Sequence, residues 1–146
     1  MKTSDPNLSY GYQTRATHRA FDRLLQKQLG GHGLANGFWY VLRVLWEREG
    51  MSQRELADAS NLTESSIVTM LENMHKAGFV RRRKDPEDGR RQRVYLTAKA
   101  RRLKPKLLPL AFDLNAIAAD GIDDADLATF LHVAHKMRAN LKAATS

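Results

Sequence analysis

Residues 81–97, with the sequence RRRKDPEDGRRQRVYLT, constrain the fold of this chain more than any other stretch. Two short segments in which apolar and charged residues alternate flank a polar tip, which is the pattern of a β-hairpin. In the tip, Pro86 fixes one backbone dihedral and Gly89 permits an unusual one, so the chain can reverse there. Val94 and Leu96 alternate with polar residues. We therefore expect a hairpin that packs one face against a core.

The same region holds all of the excess positive charge of the chain. Residues 81–106 contain twelve Lys and Arg against three acidic residues, a net charge of +9, and because the whole chain carries +8 the remainder sums to −1. A generally basic surface would spread its cations more evenly. Segregation of this kind predicts a polyanionic partner.

Composition narrows the class of protein. With 146 residues and 42% hydrophobic content, the chain has the size and composition of one folded domain. It contains no cysteine, which removes disulfides and thiolate metal sites. The N-terminus lacks the apolar core of a signal peptide, and the apolar run at 34–42 is too short to span a membrane. We expect a soluble, cytoplasmic protein that does not bind a membrane.

Helical periodicity predicts several helices before the hairpin. Residues 8–29 and 34–49 each carry apolar residues at three-four spacing, separated by GGHG. A short helix follows Ser52, which pairs with Glu55 as a capping box. After a tight turn at NLT, Thr63 caps a helix over residues 64–77 with Gly78 at its end.

Two long helices are expected after the hairpin. One begins at Thr97 and contains Pro105 and Pro109, which either bend it or break it so that it restarts at Pro105. The other covers about 124–141. Their apolar positions exceed what a lone pair of helices can cover, so we predict a seam with a second copy. The predicted seam residues are Leu103, Leu107, Leu110, Leu114, Ile117, Leu127, Phe130, Leu131, Ala134, Met137 and Leu141.

Two helices joined by a tight turn, the second with an exposed polar face, fit the major groove of DNA. The face of the helix at 64–77 carries short polar side chains, namely Ser65, Ser66, Thr69 and Asn73, which can approach base edges and phosphates. Solvated helices also carry such residues. The hairpin favours DNA, because an arginine at its tip can enter the minor groove. Arg90 and Arg91 occupy the tip, and Asp88 is placed to orient the first guanidinium.

In the order of its elements and above all in DPEDGRRQRVYLT, the chain resembles the MarR (multiple-antibiotic-resistance regulator) family over nearly its whole length. SQRELA and LTESSIVTMLENMHKAGFVRR carry the rest of the likeness. The resemblance implies a mainly α fold with a small β-hairpin wing, as one domain over 1–146. It implies a winged helix-turn-helix lobe at 34–97, with dimerisation helices at 8–30 and 98–144.

The resemblance also implies a function. A homodimer would bind a pseudo-palindromic operator in double-stranded DNA, with Ser65, Ser66 and Thr69 in the major groove and Arg90 in the minor groove. Relatives often carry Arg where this chain has Thr69 and Asn73, and Thr where it has Val68. Repression relieved by a ligand is the family default and is our hypothesis. The rival interpretation is a non-specific architectural or RNA-binding protein that uses the same basic hairpin.

Members of the MarR family commonly bind small, often aromatic or anionic, molecules in a cleft between the dimer helices and the DNA-binding lobe, so the resemblance implies an effector site there. Trp39, Arg43 and Trp46 share one stripe and could hold a planar carboxylate, unless both tryptophans are ordinary core residues. Arg15 and His18 could line the opposite wall. No catalytic motif is present, so we expect neither an enzyme nor a cofactor. His132 and His135 lack a third ligand, and no metal site is predicted.

Overall fold

A computed structural model describes residues 2–146. After a short 3-10 turn at Pro6–Leu8, the helices and strands follow one another along the chain. They are α1 (Tyr10–Gly30), α2 (Asn36–Glu47), β1 (Met51–Ser52), α3 (Gln53–Ala59), α4 (Glu64–Lys76), β2 (Val80–Lys84), β3 (Gln92–Leu96), α5 (Ala98–Ala119) and α6 (Asp124–Thr145). The chain divides into two compact units, one ending at Phe112 and the other covering Asp113–Ser146. The mainly helical fold with a small β wing is confirmed.

The hairpin forms as the alternation predicts. β2 and β3 pair antiparallel, with Val80 opposite Leu96 and Lys84 opposite Gln92. Val80, Val94 and Leu96 are buried, so this face packs on the core. The sheet also has a third strand, β1, on the other side of β3. Sequence patterning missed β1 because two residues have no periodicity.

The core of the first unit is made of aliphatic side chains from α1, α2, α3 and α4 and from the hairpin. Leu29, Val41, Leu56, Ile67 and Leu71 are all fully buried. In α4 the buried residues recur at three-four spacing, which is the pattern that predicted the helix. The opposite side of α4 is therefore left exposed to solvent.

The helix ends follow the predicted capping chemistry, with one difference. Ser52 Oγ accepts the backbone N–H of Glu55 at 3.1 Å, and Thr63 Oγ1 accepts that of Ser66 at 3.1 Å. Gly78 has φ +82, as expected of a left-handed residue after a helix. The Glu55 carboxylate, however, accepts from the Ser52 hydroxyl at 3.2 Å, so the capping box closes between side chains.

α5 continues through both prolines. It runs unbroken from Ala98 to Ala119 with Pro105 and Pro109 inside it, so the helix does not restart at Pro105. Each proline removes one backbone donor, but the flanking hydrogen bonds keep the helix continuous.

The predicted dimer seam is exposed only in part. Leu107 and Leu114 are buried within the chain itself, so neither is free for a partner. In the second unit, whose residues are all described, α6 has no buried residue. Most of its apolar side chains are exposed and Leu127 and Ala134 are half-buried; the exposed ones here and near the end of α5 include Ile117, Ile122, Phe130, Leu131 and Leu141. Across residues 2–146, no helix combines the length and apolarity that crossing a bilayer requires.

Candidate nucleic-acid interface

The turn between α3 and α4 is short and internally bonded. Asn61 adopts a left-handed conformation with φ +57, which Asn tolerates better than most residues. The backbone N–H of Leu62 donates to Ala57 O at 2.8 Å and closes the turn. Buried Ile67 and Leu71 then fix α4 by its inner face. This is the local geometry of a helix-turn-helix, with α4 as its second helix.

The four polar residues predicted on α4 are all exposed. The first two make hydrogen bonds with the cap of the helix, since Thr63 Oγ1 donates to Ser66 Oγ at 2.8 Å and lies 3.1 Å from Ser65 Oγ. The hydroxyl of Thr69 donates to Ser65 O at 3.5 Å, back into the helix. Asn73 keeps a side-chain amide that makes no hydrogen bond with residues 2–146. The structure therefore places these residues on one exposed surface, but turns three hydroxyls toward the helix itself.

The wing tip has the predicted geometry. The side chain of Arg90 is 94% exposed, and its Nε lies 3.4 Å from Asp88 Oδ1. The same carboxylate oxygen accepts the backbone N–H of Arg90 at 3.1 Å. Arg91 is farther from Asp88, at 3.9 Å. Asp88 thus orients the guanidinium of Arg90 while leaving almost all of it accessible.

An ion pair that sequence reasoning missed lies at the base of the wing. Arg93 Nε donates to Asp85 Oδ2 at 3.1 Å, and Arg93 Nη1 donates to Gly50 O at 2.8 Å. Asp85 also accepts the backbone N–H of Glu87 at 2.9 Å, and this bond, with the Arg93 guanidinium, lowers the pKa of the Asp85 carboxyl. Arg93 therefore joins the hairpin to the turn before β1.

A second missed ion pair joins the segment after α2 to α5. Glu49 Oε1 accepts the backbone N–H of Leu96 at 2.8 Å, and the Glu49 carboxylate receives two N–H groups of Arg101 at 2.9 and 3.1 Å. The hydrogen bond from Arg101 is the main reason why the pKa of Glu49 lies below its ordinary value of 4.5. Arg93 and Arg101 thus belong to the scaffold, and fewer of the twelve cations are available to a partner than charge counting suggests.

The end of α4 is attached to the start of α5. Thr97 Oγ1 donates to Gly78 O at 2.7 Å. Lys99 Nζ donates to Ala77 O at 2.8 Å and lies 4.6 Å from the centre of the Phe79 ring. A cation at a helix C-terminus also interacts favourably with the helix dipole. These contacts fix the direction of α4 relative to α5.

The residues predicted to line an effector site on α1 are exposed. His18 Nε2 lies 3.3 Å from Asp22 Oδ2, and the Tyr40 hydroxyl donates to Asp22 Oδ1. Burial, together with this carboxylate, raises the pKa of Tyr40 above its ordinary value. On the neighbouring stripe of α1, a concave surface of about 390 Å³ carries arginines and small residues. It is lined by Tyr12, Arg15, Ala16, Arg19, Ala20 and Arg23.

The two tryptophans of the same prediction lie in the core. Trp39 is 2% exposed and Trp46 is 8% exposed. Their rings pack edge to face with centroids 5.8 Å apart, and the Trp46 indole N–H donates to Ala100 O at 3.0 Å. The Arg43 guanidinium lies 5.8 Å from the Trp39 ring centre. The structure therefore brings Trp39, Arg43 and Trp46 together but leaves little tryptophan surface open to a ligand.

Comparison with known proteins agrees with this geometry. Residues 37–91, which run from α2 to the wing tip, match the model of the MarR family. The HTH-type transcriptional regulator TtmR of Methylorubrum extorquens (strain PA1) is 32% identical over 109 residues, which cover 75% of this chain and 56% of TtmR. The alignment thus spans little more than half of that relative.

Solved structures share the fold over most of the chain. Bordetella bronchiseptica BpsR, whose DNA binding is regulated by 6-hydroxynicotinic acid, has a TM-score of 0.85 at 18% identity and covers 94% of this chain and 98% of its own. S. aureus MepR in complex with DNA has a TM-score of 0.82 at 18% identity, with 91% and 98% covered. The winged helix-turn-helix and the family match at residues 37–91 show that this part of the chain is a domain of the MarR family, and the solved structures share its fold.

Proposed function

We propose that this protein is a sequence-specific DNA-binding regulator that acts as a homodimer on a pseudo-palindromic operator. One observation carries the proposal: the exposed face of α4 and the 94% exposed Arg90 side chain belong to the same compact unit, each on its own rigid support. A helix for the major groove and an arginine for the minor groove are the two contacts that a winged helix makes. The complex of MepR with DNA supports this reading.

The cations of β2 supply contacts to the phosphates on either side. Arg81 and Lys84 are exposed and make no ion pair with residues 2–146. Arg83 lies 5.3 Å from the Tyr95 ring centre, which holds its stem against the wing. Because each neutralised phosphate releases counterions, affinity should fall steeply with salt.

The second unit supports a homodimer. Phe130, Leu131 and Leu141 are 58–66% exposed along α6. Apolar side chains in this number rarely remain in water, and a second copy of the chain would cover them. Two recognition helices would then face two half-sites about one helical turn apart.

Regulation by a small anionic or aromatic effector is the finer part of the proposal. Arg15, Arg19 and Arg23 line the concave surface on α1, and none of them makes an ion pair with residues 2–146. They offer a carboxylate the charge-assisted hydrogen bonds that Arg gives best. The regulation of BpsR by an aromatic acid is in keeping with such an effector. We propose that the protein represses transcription in the cytoplasm and that the effector releases it from DNA.

Selection of bound fragments from a random DNA pool tests the function directly. We expect a short inverted repeat, a footprint over both half-sites, and retention of binding in excess competitor DNA. Uniform coating of any duplex would instead support a non-specific architectural protein. Release of the recovered operator by an aromatic acid, lost in Arg15→Gln but kept in Lys27→Gln, would locate the effector site on α1.

A further inference from the structure

The outer face of α4 carries more apolar surface than its polar composition suggests. Because successive residues turn by about 100° in an α-helix, Ser65, Val68, Thr69 and Glu72 lie side by side on the face opposite buried Ile67 and Leu71. Val68 is 40% exposed and lies at the edge of this face that borders Leu71. The side chain is β-branched and wholly apolar, so the side-chain surface that it exposes is methyl surface.

The hydroxyl groups around Val68 are engaged within the helix. Thr63 donates its one hydroxyl hydrogen to Ser66, so the Ser65 hydroxyl, 3.1 Å away, donates its own to Thr63. Thr69 donates to the Ser65 carbonyl. This bond turns the γ-methyl group of Thr69 away from that carbonyl. Val68 and Thr69 are therefore the residues of this face whose side chains carry methyl groups, and they lie on either side of Ser65 and Glu72.

Glu72 indicates which part of DNA this face meets. Its carboxylate is exposed and forms no ion pair with any of residues 2–146. An unpaired carboxylate beside a phosphate is repelled, whereas over base edges it can accept from the amino group of cytosine. The face that carries Val68 and Glu72 is thus suited to the base edges at the floor of the major groove, and the cations of the wing are suited to phosphates.

Only one base offers an apolar group on the floor of the major groove, and that is thymine with its 5-methyl group. We propose that Val68 and Thr69 determine sequence specificity by packing their methyl groups against thymine methyls in each half-site. The inference rests on the proposed function, because it names the chemistry by which the same helix reads its operator. The amide of Asn73 and the carboxylate of Glu72 then read neighbouring bases by hydrogen bonds.

Replacing thymine with deoxyuridine isolates this contact. The replacement removes the 5-methyl group and leaves every hydrogen-bonding atom of the base in place. Each DNA tested is the recovered operator with one thymine position replaced by deoxyuridine, together with the symmetry-related thymine of the other half-site. The Kd of each is measured by fluorescence anisotropy. At one or two positions we expect affinity to fall about fourfold, the effect of exposing one methyl-sized apolar group.

Variants of the protein assign the contact. Val68→Ala should bind the thymine operator several-fold more weakly and lose its sensitivity to deoxyuridine at one position. Thr69→Ser, which keeps the hydroxyl and removes the methyl, should do so at the other. Asn73→Ala is the matched control: it should weaken binding yet keep the full response to deoxyuridine. Thermal unfolding of each variant verifies the fold.

The outcomes separate this inference from the proposed function. If the wild type discriminates operator from scrambled DNA but tolerates deoxyuridine at every position, methyl recognition is wrong and the regulator stands. If Val68→Ala and Thr69→Ser both keep the wild-type sensitivity, the methyl contact belongs to other residues and the assignment is overturned. If the protein prefers no DNA sequence at all, both the proposed sequence-specific function and the inference about thymine methyls are wrong.

Discussion

Arg93 holds Asp85 and the Gly50 carbonyl at the same time, with distances of 3.1 and 2.8 Å, and so ties the wing to the turn that precedes β1. From these contacts we expect Arg93 to position Arg90 rather than to contact phosphate. Asp85, which Arg93 holds in place, also accepts the N–H of Glu87 and donates its own N–H to Arg91 O. The backbone hydrogen bonds at one side of the wing tip therefore depend on Arg93.

Arg93→Gln should therefore weaken operator binding without changing how steeply affinity depends on salt. Lys84→Gln, which removes a free cation one register position away, should instead lower the salt slope by about one unit. Titrations at several salt concentrations measure both. Equal reductions of the slope in the two variants would show that Arg93 contacts phosphate directly.

Arg90→Ala should cost about 1–3 kcal/mol of operator binding if the guanidinium enters the minor groove. Asp88→Asn should cost less, because it removes the orientation of the guanidinium but keeps its charge. Competition binding on the recovered operator measures both losses. Wild-type affinity in Arg90→Ala would remove this residue from the interface.

Acid should weaken the contact of Glu49 with Arg101 because the pKa of Glu49 is lowered in the folded protein. A depressed folded pKa contributes stability above the ordinary value of 4.5, and that contribution is lost as pH falls through the folded pKa. Glu49→Gln should thus be less stable than the wild type near neutral pH, and the two should converge as pH falls below the lowered pKa of Glu49 in the folded protein. Denaturant unfolding at a series of pH values follows the difference; a constant gap would contradict it.

Gly50→Ala should destabilise the first unit by about 1–2 kcal/mol. Gly50 has φ +80, and an added Cβ would lie 3.4 Å from the Tyr95 ring. Gly89→Ala is the control, since its added Cβ meets nothing within 4 Å and its φ is not positive. Thermal unfolding of the two variants should separate them clearly. Equal melting temperatures would mean that the turn before β1 relaxes.

Leu131→Glu should convert the proposed homodimer to a monomer and abolish cooperative binding to two half-sites. Leu131 is 58% exposed on α6, where a carboxylate costs the isolated chain little but would be buried in a dimer. Light scattering measures the mass. Lys136→Glu alters charge on the same helix without removing apolar surface, and it should remain a dimer.

Helix caps, turns and strand alternation could be predicted from the sequence, because each depends on residues that are close together in the chain. The caps at Ser52 and Thr63, the left-handed Gly78 and the alternation in β3 follow from short-range sterics and hydrogen bonding, so they predict structure without knowledge of the neighbours. The role of Asp88 could be foreseen for the same reason, because it lies two residues from Arg90.

The remaining features depend on residues far apart in the chain, and only the tertiary structure decides them. Glu49 meets Arg101, and Arg93 meets Gly50, across separations of more than 40 residues that no spacing reveals. Helical periodicity places Trp39 and Trp46 on one stripe, but packing covers them, and Ala100 O accepts from one of them. Sequence alone thus determined the main helices, the hairpin and where the charge lies, since these are local properties. The tertiary structure decided which cations remain unpaired, because an ion pair forms only between residues that lie close together in space.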